Sequence, residues 1–303
     1  MNSDLTIKKY YDKTWIDYSW VWNARNTHAL HFGFYDENAR THDVAIDNLN
    51  RKLADLAAID AQKRVFDAGC GVAGSCIWLA SERGAQVVGL TIVESQLKKG
   101  LANVKKHQLS EKIELHLGDY CHTPFESESF DVVWAIESQC HAANKADFYK
   151  EAFRLLKPGG HLVIADYMRS QRPAFTEGVS DLRKLLVKPT TKLDFETIDG
   201  EVLLANWVLN TAFPDIDTAE EHHAHASQVG FTDIVIQDVS PNVRISLKNV
   251  YEQSFKWLEL AILLNKVGLV SDVRLHNAFG TICQYKAFQR QYWQYVLISM
   301  RKK

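Results

Sequence analysis

VFDAGCGVAGS, residues 65–75, is the stretch whose reading decides the fold. Val65 and Phe66 have strand character, and glycines follow at Gly69, Gly71 and Gly74. The next residues, SCIWLASERG (75–84), carry a helical pattern that Gly84 can end as the residue just past the helix. Strand, glycine turn and helix in this order make a nucleotide-binding turn. The glycines let the backbone approach a ligand closely, and the helix start turns N–H groups towards it. Alone, the glycine spacing is a weak signal that a dinucleotide satisfies equally well.

Outward from this turn, short apolar runs alternate with helical patterns. AQVVGLT (85–91), KIELHLGD (112–119), FDVVWAI (130–136) and GGHLVIAD (159–166) read as further strands, and NKADFYKEAFRLL (144–156) as a helix with Phe148, Ala152 and Leu155 on one face. GFTDIVIQDVS (230–240) and QYVLISMRK (294–302) read as two closing strands. The expectation is an α/β, Rossmann-like, seven-stranded and mostly parallel sheet with helices on both faces and a helical cap. Residues 1–60 form the N-terminal cap segment. Residues 61–303 form the main domain, with a helical insertion at about 170–225. Residues 242–290 are open between a helical lid and a homodimer face.

A formal charge of −2 over 303 residues argues against nucleic acid as the main partner and leaves a small molecule. Five cysteines without ligand-like spacing suggest reduced thiols and a cytoplasmic setting. The most apolar long window, FKWLELAILLNKVGLV (255–270), is too short and too charged to span a bilayer. No integral membrane segment is expected.

Three details favour S-adenosylmethionine over a dinucleotide. Asp67 precedes the first glycine by two residues, where it can hold an α-amino group. The second strand ends on Thr91, where a dinucleotide fold places an acid for the ribose. The third ends in Gly118-Asp119-Tyr120, where a carboxylate can accept from an adenine amino group and a ring can stack; a loop cap is the alternative for Asp119.

The motifs FDAGCGVAGS, GLTIVESQ, LGDYCHTPFESESFDVVWAIESQCHA and LLKPGGHLVIADY resemble those of the sterol side-chain and tocopherol methyltransferases. These belong to the Rossmann-like S-adenosylmethionine-dependent methyltransferases. Prenyl diphosphate C-methyltransferases and cyclopropane fatty acid synthases are more distant in pattern. The likeness is fullest over residues 61–168. It implies that Asp67, Gly69, Gly71 and Gly74 surround the methionine part and ribose, that Thr91 and Gln96 replace the ribose-binding acid, and that Asp119 and Tyr120 form the adenine site. The N-terminal YYDKTWIDY resembles a cap helix over the cofactor, which makes Tyr11 and Tyr18 candidates for its methionine end; core packing is the alternative.

The resembling families carry an acid and a histidine where this chain has Glu137 and His141. Glu137 ends the fourth strand, where a parallel sheet binds ligands. There it would stabilise a cation or act as general base, with His141 as a second base or substrate guide. Capping of the next loop is the alternative for Glu137, and a surface position for His141. Trp22 and His31 are candidate substrate contacts, with Trp20, Phe32 and Phe34 near them, against simple packing. His222, His223 and His225 invite a metal, but helical spacing brings only two of them to one face, so none is expected. The function expected is methyl transfer to a small, largely apolar acceptor, most often at carbon of an isoprenoid, polyketide-like or quinol molecule. The rivals are an N-methyltransferase on a small amine and a nicotinamide-dependent dehydrogenase.

Overall fold

Seven strands pair into one sheet: β1 (Arg64–Ala68), β2 (Gln86–Thr91), β3 (Ile113–Leu117), β4 (Phe130–Ile136), β5 (Leu156–Arg169), β6 (Phe231–Asp238) and β7 (Trp293–Lys302). Their order is β3-β2-β1-β4-β5-β7-β6. The structure is a computed structural model and describes residues 3–21, 27–172 and 182–303. Strands β1 to β5 pair in parallel, and β7 enters antiparallel between β5 and β6, so six of the seven strands point the same way. This is the expected sheet. Its central strands β1 and β4 are buried along almost their whole length, because helices cover both faces of a parallel sheet. The edge strand β6 alternates between covered and exposed positions instead. Chain order reverses between β1 and β4, so a crevice opens beyond their carboxyl ends.

The helices are α1 (Ser3–Val21), α2 (His42–Leu56), α3 (Gly74–Trp78, continued by a π turn over Leu79–Arg83), α4 (Glu94–Lys106), α5 (Lys145–Leu155), α6 (Gly200–Asn210), α7 (Ala219–Val229), α8 (Ser240–Lys266) and α9 (Asp272–Gln289). The connection between β6 and β7 supplies α8 and α9, the segment open between lid and outward face. In the fold α9 lies against α6: a Cβ on Gly280 would sit 3.1 Å from Asn210 Cβ. Its buried residues include Leu275, Phe279, Ile282 and Cys283. Helix α1 crosses onto α9, where Arg274 grips Asp17 with Nε and Nη2 at 3.0 and 2.6 Å. Tyr10 donates to Asn277 Oδ1 at 2.6 Å. The roof above the crevice therefore joins α1, α6, α8 and α9.

An aromatic cluster fastens this roof to the sheet. Tyr167 of β5 meets Trp207 of α6 edge-on at 5.0 Å, and Trp207 meets Trp293 of β7 at 4.7 Å. Buried rings at such spacings contribute about 1 kcal/mol per pair beyond their area. Below them Arg169, 1% exposed, is paired with Glu201 at the start of α6 and with Asp215 at 3.5 Å. Removing one partner leaves a buried guanidinium undercompensated. Glu201→Ala is expected to lower unfolding free energy by about 3 kcal/mol in urea titrations; a loss below about 0.5 kcal/mol would contradict this account of how α6 is held.

Candidate active site

The glycine turn forms the floor of a cleft at the carboxyl ends of β1, β2, β3 and β4. Gly69 has φ +105°, and a Cβ there would lie 2.5 Å from Ser138 Cβ, so only glycine fits. A Cβ on Gly74 would meet the carbonyl oxygen of His28 at 2.4 Å, because residues 28–31 cross the start of α3. Gly69, Gly71, Gly74, Asp67, Thr91, Gln96, Asp119, Tyr120, Glu137, His141, Tyr11 and His31 all line this one cleft. Tyr18 does not; it lines a second cavity beside it. Trp22 lies outside the described residues.

The polar groups are arranged for a ligand with both cationic and adenosine-like parts. Asp67 is buried, which pushes its carboxyl up to about 7 despite the Cys76 thiol at 3.1 Å. Thr91 donates to Gln96 Oε1 at 2.8 Å, so a neutral pair occupies the place of a ribose-binding acid. Asp119 faces the cleft and also accepts the Cys121 N–H at 2.8 Å, which makes it lining residue and loop cap together. Tyr120 donates to the Ser138 carbonyl at 2.7 Å, tying the loop after β3 to the loop after β4. This cradle of glycines, buried acid and neutral amide suits S-adenosylmethionine, whose methionine end carries an ammonium and a sulfonium. Among the described residues no group of three or more His, Cys, Asp or Glu could hold a metal ion. His222 is buried with Nδ1 2.6 Å from the Tyr149 hydroxyl, while His225 stacks on the Tyr149 ring.

Glu137 sits where β4 ends, with φ +46°. That left-handed conformation costs a non-glycine residue on the order of 1 kcal/mol and persists where the surroundings over-determine it. Its N–H donates to the Ala165 carbonyl at 2.8 Å, so the turn remains bonded to β5. The carboxylate does not cap the next loop. Oε1 accepts the Phe32 N–H at 2.7 Å and the Tyr295 hydroxyl at 2.8 Å, and Oε2 accepts the Tyr167 hydroxyl. Burial raises the carboxyl to about 8 against the pull of those three donors.

His141 is buried, in contrast to a surface position. The Ala212 carbonyl lies 3.3 Å from Nδ1 and the Tyr11 hydroxyl 2.9 Å from Nε2. Burial lowers its pKa to about 3, so it is neutral, with Nδ1–H donating to the carbonyl and Nε2 accepting from Tyr11. His31 donates from Nδ1 to the Phe32 carbonyl at 2.8 Å and is lowered to about 4 by burial. Its Nε2 has no hydrogen-bond partner among the described residues.

Among the described residues only Glu137 and Leu30 line both the cleft and the second cavity. The second cavity has aromatic walls from Tyr18, Tyr167, Trp207, Phe213 and Trp257, with Asp17, Arg274 and Asn277 among its polar lining residues. Tyr167 and Tyr295 escaped the sequence reading. The signal that finds them is the register of β5 against β7, which sets Tyr167 opposite Tyr295.

Residues 66–164 match a family model described as a methyltransferase domain. Over 274 residues the chain is 29% identical to sterol methyltransferase-like 3 of Botryococcus braunii, covering 87% of this chain and 63% of that one. It is 26% identical to the 27-O-demethylrifamycin SV methyltransferase of Amycolatopsis mediterranei (strain S699), covering 90% and 89%. Among solved structures, the [4+2]-cyclase SpnF is similar in fold, with a TM-score of 0.74 at 20% identity over 98% of this chain and 94% of that one. The chain spans less than two thirds of the length of several curated relatives it matches. It carries a methyltransferase domain, as the motifs implied, and S-adenosylmethionine is the cofactor of that domain. None of the described helices is long and apolar enough to cross a membrane.

Both raised carboxyls predict a pH dependence. Between their ordinary values and about 7 for Asp67 or about 8 for Glu137, the folded chain holds more protons than the unfolded one. Their contribution to stability is therefore largest at low pH and falls as pH rises through that window. Denaturation midpoints of Glu137→Gln should fall less steeply between about pH 5 and 8 than those of the parent. Parallel curves would refute the buried, raised carboxyl. For the cradle, Gly69→Ala is expected to weaken S-adenosylhomocysteine binding by roughly tenfold or more in calorimetry, from the positive φ and the contact with Ser138.

Proposed function

We propose that this chain, built on a methyltransferase domain, is an S-adenosylmethionine-dependent methyltransferase acting on a small, largely apolar molecule. The acceptor would enter through the second cavity. The observation that carries this reading is the wall between the two spaces: among the described residues Leu30 and Glu137 alone border both. Donor and acceptor held one on each side would meet over the carboxylate. When bound, the donor supplies an electrophilic methyl that is passed on by in-line displacement. The chain contributes alignment and exclusion of water, through the roof of α1, α6, α8 and α9.

Glu137 would serve two purposes in sequence. Facing a cation it is ionised, since a nearby positive charge opposes the effect of burial. Once the neighbouring ligand is neutral, burial restores the raised proton affinity. The carboxylate thus becomes a stronger base as transfer proceeds, when an acceptor hydroxyl or a carbocation must shed its proton. His141, neutral and engaged by Tyr11, would orient and not act as the base. The aromatic walls favour an isoprenoid, polyketide-like or quinol acceptor, methylated at carbon or at a ring hydroxyl. A small amine is disfavoured because Asp17 in this cavity is already matched by Arg274 and the oxygens of Glu137 are already held by three donors.

A labelled-methyl screen over sterols, quinols, prenyl diphosphates and amines should detect transfer to a neutral apolar acceptor, and Glu137→Gln should slow it by roughly tenfold or more. Transfer only to amines would overturn the acceptor reading. Calorimetry at pH 7 in buffers of different ionisation enthalpy should find more protons released on binding S-adenosylmethionine than S-adenosylhomocysteine, a difference that Glu137→Gln removes. Equal release in the parent protein would contradict a Glu137 that faces the sulfonium.

A further inference from the structure

We infer that the Tyr167 hydroxyl is the group that touches the acceptor, and that the acceptor's proton reaches Glu137 through it. The inference rests on the methyltransferase reading above and adds a residue to it. Both oxygens of Glu137 are engaged: Oε1 by Phe32 N–H and the Tyr295 hydroxyl, Oε2 by the Tyr167 hydroxyl. The two tyrosines face each other across β5 and β7 and make the same kind of bond, yet they differ in access. Tyr295 is 0% exposed and lines neither space; Tyr167 lines the second cavity.

The cavity's other polar side chains include several committed elsewhere. Asp17 holds Arg274, Tyr10 is bonded to Asn277 and lies 3.0 Å from the Tyr18 hydroxyl, and Thr281 donates to the Asn277 carbonyl at 2.9 Å. Among the described residues Tyr167 alone both lines this cavity and donates to the carboxylate at the boundary. A hydroxyl that donates one hydrogen bond keeps two lone pairs with which to accept another.

The step balances within these groups. As the new bond to the methyl forms, the acceptor's proton moves to Tyr167 Oη, and the proton already on Oη moves to Glu137 Oε2. The electron pair of the broken acceptor–hydrogen bond stays with the acceptor, and that of the broken methyl bond stays with the donor. Tyr167 ends the step as the neutral phenol it began as, and no oxidant or reductant is required. Tyr167 sits edge-on to Trp207 at 5.0 Å and tilted against Phe213 at 5.6 Å, so its ring is held while the protons move.

The test compares Tyr167→Phe with Tyr295→Phe, each of which removes one donor to Glu137. Infrared titration of the carboxyl in the ligand-free protein should show its midpoint raised in both. Binding of 2-naphthol, a neutral aromatic alcohol, to the S-adenosylhomocysteine complex should weaken roughly threefold or more in Tyr167→Phe only. Single-turnover transfer to the sterol and quinol probes should fall roughly tenfold or more in the same variant, and by a clearly smaller factor in Tyr295→Phe. Equal losses in both variants, or a Tyr167→Phe that matches the parent, would overturn the inference and leave both tyrosines as positioning residues. A 2-naphthol that fails to bind the parent would overturn it by removing the acceptor cavity. A Glu137→Gln protein with undiminished transfer would instead remove the function assigned to Glu137. Retained S-adenosylhomocysteine affinity in each variant confirms that the fold survives.

Discussion

One carboxylate, buried at the end of β4 and held by three donors from three parts of the chain, organises the site. Phe32 comes from the segment after α1, Tyr167 from β5 and Tyr295 from β7. A buried carboxyl unmatched by charge is costly, and hydrogen bonds offset only part of the desolvation. Glu137 therefore stays poised between its two protonation states, with its carboxyl near 8. Its positive φ adds local strain. Both costs fall on the residue that separates the two cavities, where a fold that needed only stability would place an apolar side chain.

The rest of the architecture follows from bringing those donors together. The antiparallel entry of β7 beside β5 sets Tyr295 opposite Tyr167, which a purely parallel sheet of consecutive βα units would not do. The crossing of residues 28–31 over the glycine turn delivers the Phe32 N–H. The aromatic contacts among Tyr167, Trp207 and Trp293 then bind roof and sheet into one support for the carboxylate. Asp17–Arg274 and Tyr10–Asn277 join α1 to α9 on the far side of the second cavity.

What could be read in the sequence was whatever depends on neighbours along the chain. The order of strands and helices, the glycine turn, Thr91 with Gln96, and the arrival of Glu137 at a strand end are local patterns. Tyr18 shows the limit. It lies two helical turns from Tyr11, on the same face, and the two ring centres are 5.9 Å apart, yet Tyr11 lines the cleft and Tyr18 the second cavity. His141 is buried because residues 212 and 213 close over it, and that distant segment leaves no mark near position 141. The Tyr167–Tyr295 pairing joins strands far apart in sequence, and only the sheet register reveals it.

The central claim is that donor and acceptor meet at the Leu30–Glu137 boundary. A crystal structure with S-adenosylhomocysteine tests this most directly. The account predicts the adenine beside Asp119, the ammonium beside Asp67, and the sulfur at that boundary, on the order of 4–6 Å from the Glu137 carboxylate, within reach of a direct electrostatic interaction. A sulfur turned away from Glu137, or a ligand bound outside this cleft, would contradict it.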